Sequence, residues 1–322
     1  MLSKTVLVTG GAGFIGSHLV DRLIGEGYRV RVIDNLSTGR IENLKHLEDN
    51  PSFEFIKGDL KNYDDALEAV RGVNTVFHFA ANPEVRVSTT NPRIHFEENV
   101  VATFNLLEAM RERGVKEIVF ASSSSVYGEP EEIPVGEDAP IRPVSVYGAS
   151  KAACENLIHA YTKLYGIRAV ILRYANVIGP RLRHGVIYDL LMKLRKNKEE
   201  LEVLGDGKQT RSYIYVSDAV EATVTAWKNV KENEVYNVAS EDWITVNDIV
   251  IALLNELKLN NTKIIYKPIL HGVGWLGDVK KIALRIDKIK KLGFTPQYKS
   301  KDAVIKTIKV LINELEDENS TN

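Results

Sequence analysis

Tyr147 and Lys151 stand four residues apart in the stretch SVYGASK, at the mouth of a helical pattern. On an α-helix, positions i and i+4 share a face, so the phenol and the ammonium lie side by side. A free phenol has a pKa of about 10 and is a poor base at neutral pH, but a nearby cation favours its phenolate. The pair is therefore a candidate for taking a proton from a hydroxyl. The same spacing also suits an exposed amphipathic helix, so its meaning depends on the rest of the chain.

A second chemical signature lies near the start. TGGAGFIG, from Thr9 to Gly16, falls between a β-branched run and a helical pattern, and Gly11, Gly13 and Gly16 match G-x-G-x-x-G. Glycines there permit a tight turn and a close approach of backbone to a pyrophosphate, which then meets the open N–H groups of a helix start. Gly10, Phe14 and Ile15 belong to the same candidate dinucleotide loop. Asp34, followed by Asn35, ends the next β-run, where a carboxylate hydrogen-bonds ribose hydroxyls and repels a 2′-phosphate. That argues for NAD over NADP. Arg40 nearby is a counter-signal, because arginine holds phosphate well.

These residues need a scaffold. TVLVTG, RVRVIDN, FEFIKGD, NTVFHFAA, EIVFASSS and AVILRYAN read as buried strands separated by helical segments. Alternating β and α units imply a doubly wound parallel sheet, a Rossmann arrangement in the α/β class. The rhythm breaks near Asn176, and the chain is expected to weave between the large domain and a smaller α/β one. The expected division is 1–175 plus a return over 212–250 for the dinucleotide domain, 176–211 with 251–312 for the substrate domain, and a frayed acidic tail over 313–322.

The bulk numbers exclude other classes. The chain has 322 residues and a net charge of −1, which leaves no basic footprint for nucleic acid and no polybasic membrane patch. Apolar runs are far shorter than the roughly 20 residues a membrane helix needs. One cysteine, Cys154, leaves no partner for an internal disulfide, and the seven histidines lack HExxH-like spacing, so no metal is expected. A cytoplasmic location is expected.

Taken together, TGGAGFIGSH, GDL at Gly58–Leu60, HFAA at His78–Ala81, SSSSVYG, YGASK, RYANVIGPR and GDGKQTRSYIYVSD resemble the extended short-chain dehydrogenase/reductases, specifically the nucleotide-sugar epimerase/dehydratase group. The resemblance runs over nearly the whole chain. It implies that Asp59 and Leu60 touch the adenine, that Phe79, Ala80 and Ala81 line the phosphates and ribose, and that Asn99 lies near the same NAD. It implies catalysis by Ser123, Tyr147 and Lys151, with Lys151 also holding the nicotinamide ribose. Asn176 and Arg211, with Ser123 at the sugar, would bind a UDP-sugar substrate. Homodimerisation through helices beginning near Asn99 and Ala149 is implied too.

Dehydratases of this group carry an acid two or three residues before the tyrosine of VYG, and Ser124 and Ser125 stand there instead. The expected reaction is therefore C4 epimerisation of a UDP-hexose, glucose/galactose or the N-acetyl pair, through a transient 4-keto sugar. A UDP-glucuronate 4-epimerase is the alternative, suggested by the basic run at Arg181, Arg183 and His184; a dehydrogenase releasing reduced coenzyme and a non-catalytic dinucleotide sensor are further ones. Several positions depart from the group. Trp275 replaces a diphosphate-gripping arginine and is expected to pack, Arg285 replaces an aspartate, and Ala175 replaces a larger residue. Ile282 falls near a position that gates sugar size, and the segment around Pro134 is expected to cover the site.

Overall fold

The computed structural model describes residues 4–320. Its centre is one seven-stranded parallel sheet. In spatial order the strands are Glu234–Val238, Arg168–Tyr174, Glu117–Ser123, Thr75–His78, Thr5–Thr9, Arg29–Asp34 and Phe53–Lys57. The first strand thus lies between the second and the fourth, with Val8 opposite both Val32 and Phe77. The direction of winding reverses at that junction, which opens a crevice at the carboxyl ends of the strands.

The strands read as unbroken apolar runs because helices cover both faces. Val6 and Val8 point into one layer with Leu19, Leu23, Val220 and Trp227, from helices Phe14–Gly25 and Val216–Asn229. Leu7 points into the other, with Ala66, Leu106 and Ile158, from helices Tyr63–Ala69, Ala102–Arg113 and Val146–Tyr165. Successive strand residues alternate between two fully buried layers.

The remaining chain builds a smaller α/β layer over the crevice. Strand Glu200–Leu204 pairs in parallel with Lys263–Lys267. The short strand Thr210–Arg211 lies between Ile244–Thr245 and Lys281–Ile282. Helices Gly185–Lys196, Val246–Glu256 and Ser300–Ser320 pack together beside them.

Three local expectations need correction. The acidic end is no frayed tail: the last helix runs from Ser300 to Ser320. Leu315 is buried, and Glu314 and Glu318 bind Arg183, which anchors the helix along its final turns. Residues 321–322 lie outside the described residues. Asn99 does not begin an α-helix but sits in a π-helical segment, Phe96–Val101, that leads into Ala102–Arg113. The segment around Pro134 does not cover the crevice. None of residues 129–143 lines the cavity; Val135 instead bridges Leu284, and the Glu137 carbonyl accepts from Arg173.

Candidate active site

A single cavity of about 490 Å³ runs along the crevice, and its walls carry both chemical signatures. At one end, Gly10 has φ +66° and donates its N–H to the Ile33 carbonyl. A Cβ on Gly16 would stand 2.2 Å from the Gly10 carbonyl oxygen, so only glycine lets the helix Phe14–Gly25 start this close to the loop. The cavity-lining glycines are Gly10, Gly13 and Gly16. Gly11, counted in the sequence pattern, faces away; its Cβ would meet the Val32 side chain at 2.7 Å.

Asp34 is buried, and its carboxylate accepts N–H groups from Ala12 at 3.0 Å and Leu36 at 2.8 Å. Burial pushes its pKa up against those two donors. Beside it, Asn35 donates to Asp59 at 3.1 Å, and Leu60 shares the same wall. The N–H groups of Phe79 and Ala80 both reach the Thr9 hydroxyl, which fixes Phe79–Ala81 against the loop. Asn99 is more remote. It is buried behind the wall, accepting from the Asn82 N–H and donating to the Ser150 hydroxyl, and so steadies both the wall and the helix that carries Lys151.

The strand Glu117–Ser123 and the helix Val146–Tyr165 position the other end. Ser145 caps that helix, accepting from the Gly148 N–H at 3.0 Å, so Tyr147 falls in its first turn with its N–H on Ser88. Lys151, one turn on, is 3 % exposed and donates to the Ala121 carbonyl at 2.7 Å. Its Nζ lies 6.0 Å from the centre of the Tyr147 ring. Ser123, Tyr147 and Lys151 thus converge on one stretch of wall.

The electrostatics depart from expectation. Burial pushes the Tyr147 phenol up to about 12, with a hydrogen bond to Ser123 pulling it back. Burial also pulls the Lys151 ammonium down to about 8. In the protein alone, desolvation outweighs the neighbouring cation, because Lys151 spends its close contact on a carbonyl rather than on the phenol.

Sequence reasoning also missed neighbours. His95 is fully buried, neither ring nitrogen has a hydrogen-bond partner among the described residues, and its ring stands edge-on to Tyr147 with centroids 5.6 Å apart. Behind Ser123, Arg173 binds Glu155 at 2.7 Å and the Tyr127 hydroxyl at 2.9 Å. Lining the same cavity, Arg86 joins Glu84 at 2.9 Å to Asp189 at 2.8 Å. Glu84 and Arg86 follow HFAA at a distance of a few residues, but nothing local marks Asp189 as their partner.

The third wall belongs to the smaller layer. Asn176 and Arg211 line it, and the Arg211 guanidinium is held by Asp278 at 2.7 Å and by neighbouring carbonyls. Ala175 and Ile282 also line the cavity, and Ile282 stands opposite Arg211 in the strand register. Trp275 lines it too, but its indole N–H is buried without a hydrogen-bond partner among the described residues. Arg285 is elsewhere, directed at the Pro134 carbonyl. Arg181 and Arg183 face the cavity, yet each is paired, Arg181 with Asp21 and Arg183 with Glu314 and Glu318.

The first half of this cavity fits a dinucleotide. It offers an open helix start at Gly13, a floor where a Cβ would collide, and a carboxylate at the end of the second strand. Fold and site together define a Rossmann enzyme of the short-chain dehydrogenase/reductase class. Residues 6–239 match the family described as the NAD dependent epimerase/dehydratase family, and the chain belongs to that family. It is 40 % identical to a putative UDP-glucose 4-epimerase of Methanocaldococcus jannaschii, covering 98 % of this chain and 100 % of that protein. A crystal structure of a UDP-galactose 4-epimerase superposes with a TM-score of 0.87 at 50 % identity, covering 97 % of this chain and 99 % of that one. The UDP-glucose 4-epimerase of Thermus thermophilus, solved in complex with NAD, superposes with a TM-score of 0.85 at 34 % identity over 96 % and 99 %.

Proposed function

We propose that the protein is an NAD-dependent isomerase that inverts C4 of a UDP-hexose, of the glucose/galactose type or its N-acetyl form. The observation that carries this reading is the convergence of Ser123, Tyr147 and Lys151 on the same cavity as the Asp34 end and the Arg211 wall. The 4-epimerases among its relatives agree with it.

Bound NAD supplies a reversible hydride acceptor. Tyr147 accepts the proton of the C4 hydroxyl, and Ser123 hydrogen-bonds the same oxygen. Lys151 keeps its positive charge beside the phenol and holds the ribose of the coenzyme. Bringing a phenol from about 12 to neutrality requires roughly 7 kcal/mol of differential stabilisation. The protein alone does not provide it, so the phenolate forms only once coenzyme and substrate fill the cavity and add their own charge and hydrogen bonds. Asn176 and Arg211 hold the diphosphate while the keto sugar turns over. Ser124 and Ser125 leave no carboxylate for elimination, which favours epimerisation over dehydration.

A neutral hexose is favoured over a uronate. Arg86, Arg181 and Arg183 all face the cavity with carboxylate partners already in place, so a sugar carboxylate would have to displace a resident one. We further propose a homodimer. Phe96 and Phe104 are 57 % and 45 % exposed, eight residues apart along one continuous helical stretch with Val100 between them. An apolar stripe of this kind suits a second copy of the same face.

The test is incubation with UDP-galactose, UDP-N-acetylglucosamine and UDP-glucuronate, followed by proton NMR of the products and absorbance of reduced coenzyme. Formation of the C4 epimer of a neutral hexose without net reduction is expected. Net reduction with no epimer would refute the assignment, and turnover of the glucuronate alone would restore the alternative.

A further inference from the structure

Arg40 sits in an unexpected place for an NAD enzyme. Its backbone N–H donates to the Ala12 carbonyl at 2.9 Å, while the Ala12 N–H donates to Asp34 at 3.0 Å. Arg40 is therefore fastened to the same residue, Ala12, that holds the Asp34 carboxylate, and it lines the same cavity as Asp34, Ser37 and Thr38. A free guanidinium there would be a ready ligand for a 2′-phosphate, working against Asp34.

The guanidinium is not free. Its NH1 donates to Glu318 at 2.9 Å, and its Nε lies 3.6 Å from Glu42. Glu318 comes from the last turns of the helix Ser300–Ser320, 278 residues further along the chain and anchored in the other layer. The same carboxylate accepts Arg183 at 2.9 Å, and Glu314, one turn earlier, accepts Arg183 at 2.8 Å and the Arg181 N–H at 2.9 Å. The end of the chain is thus clipped onto the coenzyme loop and the arginine loop at once.

We propose that Glu318 is a coenzyme-selecting residue: by holding the Arg40 guanidinium it denies a 2′-phosphate its cation, and so completes the discrimination that Asp34 begins. The inference rests on the NAD half of the site and is independent of the sugar. Arg40 and Glu318 are both about 40 % exposed, so substituting either leaves the core untouched.

The experiment is to express the full-length chain, purify it, release bound dinucleotides with acid and quantify NADP against NAD by chromatography. The parent protein should carry NAD with little NADP. Glu318→Ala should raise the NADP:NAD ratio about tenfold, the scale of one added charge-assisted contact to phosphate. Arg40→Gln in the Glu318→Ala background should return the ratio to the parent value. An unchanged ratio in Glu318→Ala would overturn the proposal. So would a gain that survives the loss of Arg40, which would mean that the helix had merely loosened. Because the readout is bound coenzyme, it stands apart from the sugar assay, whose failure would leave this ratio unaffected.

Discussion

Lys151 is expected to weaken the fold it serves, and the size of that effect follows from its surroundings. The ammonium is 3 % exposed and makes one hydrogen bond, to the Ala121 carbonyl. Burial lowers its pKa from 10.5 to about 8. A lowered lysine pKa means that the unfolded chain holds the proton more tightly between those values. The folding penalty is absent above pH 10.5, grows as pH falls, and is complete below about pH 8. The difference corresponds to about 3 kcal/mol. Lys151→Met keeps the length of the side chain and removes the charge, but it leaves the Ala121 carbonyl without its donor, at a cost of about 1 kcal/mol. The variant without coenzyme should therefore be more stable than the parent by about 2 kcal/mol at pH 7, or about 3 °C for a chain of this length, while its epimerase activity collapses. The assay is thermal and urea unfolding of both proteins, stripped of coenzyme, at pH 7 and near pH 10. The gap should close at the higher pH, where the parent sheds the proton. A variant less stable than the parent at pH 7, or a gap indifferent to pH, would refute the reasoning.

Tyr147→Phe should lower kcat by about 10² to 10⁴ with KM nearly unchanged, measured by NMR of the sugar epimers, because it removes the proton acceptor and little binding surface. Arg211→Ala should raise KM for the UDP-sugar and also destabilise the protein by about 3–5 kcal/mol, since Asp278 would be left buried and unpaired; adding Asp278→Asn should restore much of the melting temperature but not KM. Phe104→Glu together with Phe96→Glu should convert a dimer to a monomer in light scattering, with the circular dichroism spectrum unchanged.

Much of the coenzyme half was legible from residues close together in the chain. Strand, glycine loop and helix follow one another from Thr5 to Gly25, and Asp34 ends the very next strand, so local patterning and turn chemistry suffice. The same holds for Tyr147 and Lys151, whose shared face is a property of one helix. The parallel sheet followed as well, since runs such as TVLVTG are apolar on both faces only if helices cover both.

Other properties were decided in three dimensions. Which way each loop glycine faces depends on Val32 in the neighbouring strand and on Ala80, just beyond the strand Thr75–His78: Gly11 packs on Val32, while Gly10, already part of the candidate loop, lines the cavity. The sequence pattern of tyrosine and lysine suggested an acidic phenol, but acidity is a matter of solvation, and enclosure by the cavity walls drives Tyr147 the other way. Acidic residues at the chain end look like a solvated tail until Arg40 and Arg183 are found opposite them. Spacing along the chain determines which groups share an element; the dielectric around a group and the charge it faces depend on residues hundreds of positions away, and only the folded packing brings those together.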